Sequence, residues 1–407
     1  MYSLAGYGEM IADRVRVDAY AQALRNTVRP GAVVLDIGTG PGFWAVLACE
    51  LGASRVYAIE PSDIIQVARE IAAKNRCADR IVFIEEMSTK VTLPERADVI
   101  VSDLRGVLPL FQRHIPSILD ARLRLLAPGG VLIPRKDTVW AAIAEAPEVY
   151  RGLVEPWEQN CLHQNLLSAR QLIVNNPLKV RLDPKQLLTA TRPWASLDYR
   201  TIENPDVRGK LQWTVERAGT GHGVVVWFDT ELTDGVGFSN VPGAPKVIYG
   251  SFLFPWLQPV PLAAGQAVRV NLEAKLLAEE YIWRWTTRVD SSNQTPIEFD
   301  QSSFRGAILS PAKLHKAASD HVPQLSEEGL LDRRILELMD GRATLEEIAC
   351  KLVLEFPHRF RPGRYRVLCQ RNQQPARAGH GVRHSLHGKP GLLVQRILLA
   401  HKIVGLQ

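Results

Sequence analysis

No stretch of the chain stays apolar for the roughly 20 residues that a membrane-crossing helix needs. Glu9, Asp13, Arg14 and Arg16 also interrupt any secretory core near the start. Both absences point to a cytoplasmic protein with no membrane partner. Cysteine is scarce: Cys49, Cys77, Cys161, Cys350 and Cys369 are odd in number, widely spaced and without a C-x-x-C pair. Neither a disulfide framework nor a zinc site is suggested, no metal is expected, and the five read as reduced structural thiols. Acidic residues vanish altogether after Glu355, whereas ten Lys and Arg lie beyond it. Of the 49 basic side chains that leaves 39 against all 43 acidic ones up to residue 355, a balance of −4 beneath the overall +6. A mildly acidic body is a poor partner for phosphates, so no nucleic acid is expected. The tail over 358–407 reads as a disordered basic extension or as the product of a reading-frame change near residue 358.

What is present is enough for two or three domains, because 407 residues exceed what one core usually covers. From 32 to about 144, short β-branched runs alternate with helical patterns, the signature of a parallel sheet with crossover helices. Strands are expected at 32–36, 55–60, 80–84, 97–103 and 130–134. One amphipathic helix should run over 9–26, another behind a Ser62 N-cap, and a third over about 110–126, closed by a Pro128-Gly129-Gly130 turn. Beyond Pro134 segments such as GVVVWFDTELT and YIWRWTTRV alternate in period two, as antiparallel strands do. Two amphipathic helices follow, separated by Gly341, and Thr344 with Glu347 should form a capping box. The fold class is thus α/β: a Rossmann-like domain over 1–134, an antiparallel β-barrel over 135–305 and a small helical unit over 310–357.

The strongest chemical signal is VVLDIGTGPG, residues 33 to 42, where a strand turns into a helix. Gly38, Gly40 and Gly42 let the backbone pass close beside a ligand. A dinucleotide fingerprint would need Gly or Ala at position 43, which holds Phe43, and the preceding Asp36 would repel a pyrophosphate. Asp36 suits instead a cationic sulfonium cofactor carrying an amino group, S-adenosylmethionine (SAM). Glu60, ending the second strand, can accept from both ribose hydroxyls, and Met87 supplies a soft apolar edge for adenine.

With those residues in place the chain resembles the protein arginine methyltransferases over about 2–300. The stretch YGEMIADRVRVDAY matches that family's N-terminal pattern, and the match places Arg16 on the cofactor's carboxylate. The resemblance implies two glutamates nine positions apart that grip the substrate guanidinium. Aligned on VIVSDLRGVLPLFQ, they fall on Asp103 and Gln112, so one carboxylate is shortened and the other is neutral. Asp103 remains the candidate for acceptor orientation or proton removal, with Gln112 as its hydrogen-bonding partner. The family's Thr-His-Trp loop has its nearest equivalent in Phe254-Pro255-Trp256, without the histidine, and Trp256 there reads as barrel packing rather than as a substrate contact. The stretch over 310–357 resembles PqqD-like winged-helix peptide-binding domains. These resemblances imply a SAM-dependent methyltransferase acting on a protein or peptide side chain that need not be arginine, with a homodimer left open. The alternative is a non-catalytic SAM-binding protein with a peptide partner.

Overall fold

A computed structural model describes residues 3–159, 161–290, 295–316 and 318–359. The basic tail expected over 358–407 lies, but for its first two residues, outside the described residues. The chain divides into one compact unit, Met1–Ile308, and a second from Leu309 onward.

The first unit opens with helices α1 (Leu4–Ala12) and α2 (Arg14–Thr27), followed by β1 (Val33–Ile37), α3 (Phe43–Glu50), β2 (Arg55–Ile59), α4 (Ile65–Lys74), β3 (Ile81–Ile84), β4 (Ala97–Ser102), α5 (His114–Arg124) and β5 (Leu126–Ile133). The five strands form one parallel sheet in the order β3-β2-β1-β4-β5. The chain therefore reverses direction across the sheet between β1 and β4, and in such sheets the crevice at that switch point, outside the carboxyl ends of the strands, receives the ligand. Val34, Leu35, Val56, Ala58 and Val101 are fully buried within the sheet, which is why these strands read as continuous apolar runs.

Three local expectations differ. The single helix over 9–26 is two, because Asp13 interrupts it and its carboxylate caps the Arg16 N–H at 3.2 Å. Ser62 does not cap α4; its hydroxyl is spent on Glu60 at 2.6 Å. Pro128-Gly129-Gly130 lies inside β5 as an irregularity: Ala97 pairs with Leu126 but Val99 with Val131. Gly129 takes a φ of 77° there, which only glycine adopts freely.

The rest of this unit is β6 (Lys136–Ala144), α6 (Pro147–Glu158), α7 (Leu167–Ile173), β7 (Leu178–Val180), β8 (Arg192–Asp198), β9 (Val207–Thr214), β10 (Gly219–Thr233), β11 (Val236–Ser239), β12 (Ser251–Leu262), β13 (Ala267–Leu277), β14 (Glu280–Val289) and β15 (Ile297–Ser302). Its strands form two antiparallel sheets, β7-β12-β10-β6-β8 with β11 on β10, and β15-β14-β13-β9. Period-two patterning decides which face is buried: along β14, Tyr281, Trp283, Trp285, Thr287 and Val289 point in while Arg284 and Arg288 point out. Trp285 reaches across to donate its Nε1–H to the Pro255 carbonyl of β12 at 3.1 Å. The strand pairing among the described residues does not itself close either sheet into a barrel.

The second unit holds α8 (Pro311–Lys316), α9 (Glu327–Leu338) and α10 (Leu345–Glu355). Leu331, Ile335, Leu338, Ile348, Leu352 and Val353 form its core, and Arg334 pairs with Glu355 at 2.7 Å. The capping box is present: the Thr344 N–H donates to Glu347 at 2.8 Å, and the Glu347 N–H to Thr344 at 3.3 Å. Among the described residues of this unit there is no strand, so the expected wing is missing. Cys49 and Cys77 are buried free thiols, but Cys350 is disulfide-bonded, contrary to the expectation of reduced thiols throughout.

Candidate functional site

A cavity of about 600 Å³ opens at the carboxyl ends of β1, β2 and β4. Arg16, Gly38, Glu60, Met87, Asp103 and Gln112 all line it, although they are spread over almost a hundred positions of chain. Asp36, Gly40 and Gly42 are buried and flank lining residues in sequence. Gly38, Gly40 and Gly42 all have positive φ. A Cβ on Gly40 would fall 2.6 Å from the Tyr7 ring, so a larger residue there would displace α1.

At the β1 end, Asp36 is 1% exposed. Its Oδ2 accepts the Thr39 hydroxyl at 2.6 Å, while Oδ1 has no hydrogen-bond partner among the described residues. Burial pushes this carboxyl up to about 7 against the opposing pull of Thr39 and of the Ala45 N–H in the first turn of α3, which acts on the carboxylate without meeting hydrogen-bond geometry. Glu60 accepts the Gly40 N–H at 3.2 Å on one oxygen, and the Ser62 N–H at 3.1 Å and hydroxyl at 2.6 Å on the other. Two carboxylate oxygens offer about four lone-pair sites, so one acceptor position is left over.

The β4 end is different. Asp103 Oδ2 accepts Arg16 Nε–H at 2.5 Å and the Tyr249 hydroxyl at 2.6 Å, and its Oδ1 accepts Arg105 Nε–H at 3.1 Å. Burial opposes its charge, but the two guanidinium groups hold the carboxyl well below the usual carboxylate range. Arg16 also donates Nη1–H to the Met10 carbonyl at 3.2 Å. Arg105 continues the network to Asp137 at 3.1 Å and the Thr230 hydroxyl at 2.8 Å, and it donates to the Tyr20 hydroxyl. Behind it, the Tyr199 hydroxyl donates to Asp137 at 2.6 Å and meets His114 Nε2 at 3.0 Å. Burial, reinforced by Arg105, lowers the His114 imidazole to about 3, so it stays neutral. Gln112 sits exposed at the rim with a left-handed φ of 41°.

Sequence reasoning overlooked Arg105, Tyr249, His114 and Asp137. Arg105 had one local signal, a cation two positions after a candidate acceptor carboxylate. Phe254-Pro255-Trp256, taken as the equivalent of a supporting loop, lies inside strand β12 and does not line the cavity, and Trp256 is fully buried core. The residue of this region that touches Asp103 is Tyr249, just before β12.

Comparison with known proteins accords with this geometry. Two family models match the chain: ribosomal protein L11 methyltransferase over residues 19–151, and the arginine methyltransferase oligomerization subdomain over residues 136–281. Human protein arginine N-methyltransferase 2 is 30% identical over 293 residues, which cover 68% of this chain and 67% of the human protein. The chain belongs to the protein arginine N-methyltransferase family. Protein arginine N-methyltransferase 1 of Chlamydomonas reinhardtii is 28% identical over 66% of this chain and 79% of its own length. The chain spans between 41% and 79% of the length of the curated relatives it matches. An enzyme–prozyme complex of Trypanosoma brucei, solved with AdoHcy, has the same fold, with a TM-score of 0.67 at 22% identity over 73% of this chain and 97% of its own.

Membership makes the chain a SAM-dependent methyltransferase of a protein or peptide side chain. It also corrects one expectation. The segment that follows the cofactor-binding region is an arginine methyltransferase oligomerization subdomain over 136–281, and the strandless helices after Leu309 do not make a PqqD-like winged helix. No helix among the described residues is long and apolar enough to cross a membrane.

Proposed function

We propose that the cavity binds SAM toward β1 and β2 and an acceptor side chain toward β4. In this reading Asp36, Gly38, Gly40, Gly42, Glu60 and Met87 surround the cofactor's nucleoside and amino end, and Arg16 takes its carboxylate. SAM supplies a methyl group already activated by its sulfonium. The protein's part is to hold an acceptor in line and to exclude water. The observation that supports the reading best is the unpartnered, buried Asp36 Oδ1, for which a cationic amino group would be both donor and counter-charge.

Asp103 and Gln112 then stand at the acceptor. A carboxylate held ionised by two guanidinium groups is a weak base, so Asp103 orients rather than removes a proton. Gln112 accepts hydrogen bonds without adding charge, so arginine is not the efficient acceptor. Along the chain we place a cofactor domain over 1–134, an antiparallel domain over 135–305 whose two sheets share one core as a barrel, a helical unit over 310–357 and a basic tail over 358–407. The oligomerization-subdomain match supports a homodimer, and we place the protein in the cytoplasm.

Titration calorimetry with SAM tests the cofactor half. Glu60→Ala should weaken binding about tenfold or more, since a hydrogen bond to a charged group contributes roughly 1.5–3 kcal/mol. Unchanged binding would overturn the assignment. Mass spectrometry of candidate peptides after incubation with labelled SAM reads the acceptor.

A further inference from the structure

The guanidinium of Arg105 has the surroundings of a bound ligand. Its side chain is fully buried, and its nitrogens meet Asp103 Oδ1 at 3.1 Å, Asp137 Oδ1 at 3.1 Å, the Thr230 hydroxyl at 2.8 Å and the Tyr20 hydroxyl. Four aromatic rings surround Arg105 Cζ, with centroids at 5.4 Å for Phe228, 5.5 Å for Tyr249, 5.6 Å for Phe238 and 5.8 Å for Tyr20. Carboxylates along the edges and aromatic rings around the carbon are what selects a guanidinium over other groups. The receptor is assembled from distant parts: Tyr20 comes from α2, Asp103 follows β4, Asp137 is on β6, Thr230 and Phe228 are on β10, and Phe238 is on β11. Only the occupant is tethered, two residues from Asp103.

We propose that Arg105 is the internal occupant of the acceptor site's guanidinium receptor and so determines specificity: with its cation in place beside Asp103, the site refuses arginine and takes an uncharged acceptor. The proposal rests on the reading of the Asp103 end as the acceptor site. The charges make the case. Asp103 and Asp137 are already matched by Arg16 and Arg105, and SAM brings an amino group and a sulfonium along with its carboxylate, so a second guanidinium would enter a buried site with no unmatched anion left for it. A buried cation without a partner is not tolerated. Removing the Arg105 side chain leaves the carboxylates and rings in place around an empty space of the right shape.

Arg105→Ala in the full chain, probed with ethylguanidinium and with its neutral isostere ethylurea, tests this without cofactor. Calorimetry and thermal shift should show saturable ethylguanidinium binding to the variant, at least about tenfold tighter than ethylurea, with no such binding to the wild type. A folded variant that does not discriminate the two probes overturns the proposal. If Arg105→Ala does not fold, the wild type still decides. Incubated with labelled SAM, it should leave an arginine-rich peptide unlabelled, and robust arginine labelling with Arg105 in place overturns the proposal. Failure of the wild type to bind SAM would count against the cofactor assignment alone, because the ethylguanidinium measurement does not depend on it.

Discussion

At the β1 end of the cavity Asp36 is buried with one oxygen unpartnered, whereas at the β4 end Asp103 accepts from three donors. Both are aspartates at the carboxyl ends of neighbouring strands, yet burial raises one to about 7 and two guanidinium groups hold the other far down. A buried carboxylate without a counter-charge costs the fold energy and is useful only if a cation arrives to pair with it. One held ionised by two resident guanidinium groups contributes to the fold and keeps a single acceptor position with which to orient a visitor. On the proposed reading the β1 end is suited to a cation that arrives, whereas the β4 end already holds two guanidinium groups.

Mutations should separate the two ends sharply. Asp103→Ala leaves Arg16 and Arg105 buried beside each other without their shared anion, and chemical denaturation should show a loss of roughly 3–5 kcal/mol. A loss below about 1 kcal/mol would mean that water or rearrangement reaches this network and that the contrast is smaller than drawn. Asp36→Asn should do the reverse. Apo stability at pH 8 should hold or rise, because a strained carboxylate is removed, while SAM affinity falls about tenfold or more. A variant that is both less stable and equally good at binding SAM would break the comparison.

Acidification sharpens it further. Asp36 is raised in the folded protein, so its ionised form destabilises the apo fold above about pH 7, and this penalty is relieved as pH falls. A cationic cofactor needs the ionised form, so SAM affinity should drop roughly tenfold between pH 8 and pH 6, with protons released on binding at pH 7. Asp103, being depressed, contributes stability that is fully present above its ordinary range near pH 4 and is lost below it. A flat affinity between pH 8 and pH 6 would remove Asp36 from the amino end. The smallest effect is expected at the rim. Gln112→Glu, exposed at the rim, should change stability by less than about 0.5 kcal/mol, and alone it should not confer arginine methylation while Arg105 stays. Strong methylation in that variant would show that rim charge, not the resident guanidinium, sets the acceptor.

The β1 end was largely legible in the sequence, because a glycine-rich turn after an apolar strand and an acidic residue at the next strand end are local patterns with local causes. The strands of the parallel sheet were legible for the same reason. The β4 end was not. Arg105 meets Thr230 across 125 positions and Asp137 across 32, and no window of sequence contains both sides of such a contact. Tyr249 was hidden similarly, while Trp256, a chemically more conspicuous residue, is core, as its reading as packing expects. The break at Asp13 and the engagement of Ser62 by Glu60 were missed because a cap and a mid-helix polar residue look alike until tertiary partners choose between them.

Asp13 itself links more than a helix start. One of its oxygens receives the Arg16 N–H at 3.2 Å and the other receives the Ile248 N–H at 2.7 Å. Arg16 and the neighbour of Ile248, Tyr249, are the two donors that converge on Asp103 Oδ2. A single carboxylate thus works like a jig, fixing two tools from separate parts of the chain so that they meet at one point. Arg16 and Tyr249 can keep their side chains unaltered and still lose alignment together if that jig slips. Damage at Asp13 would register at Asp103 as a coupled shift of both donors rather than as the loss of either one.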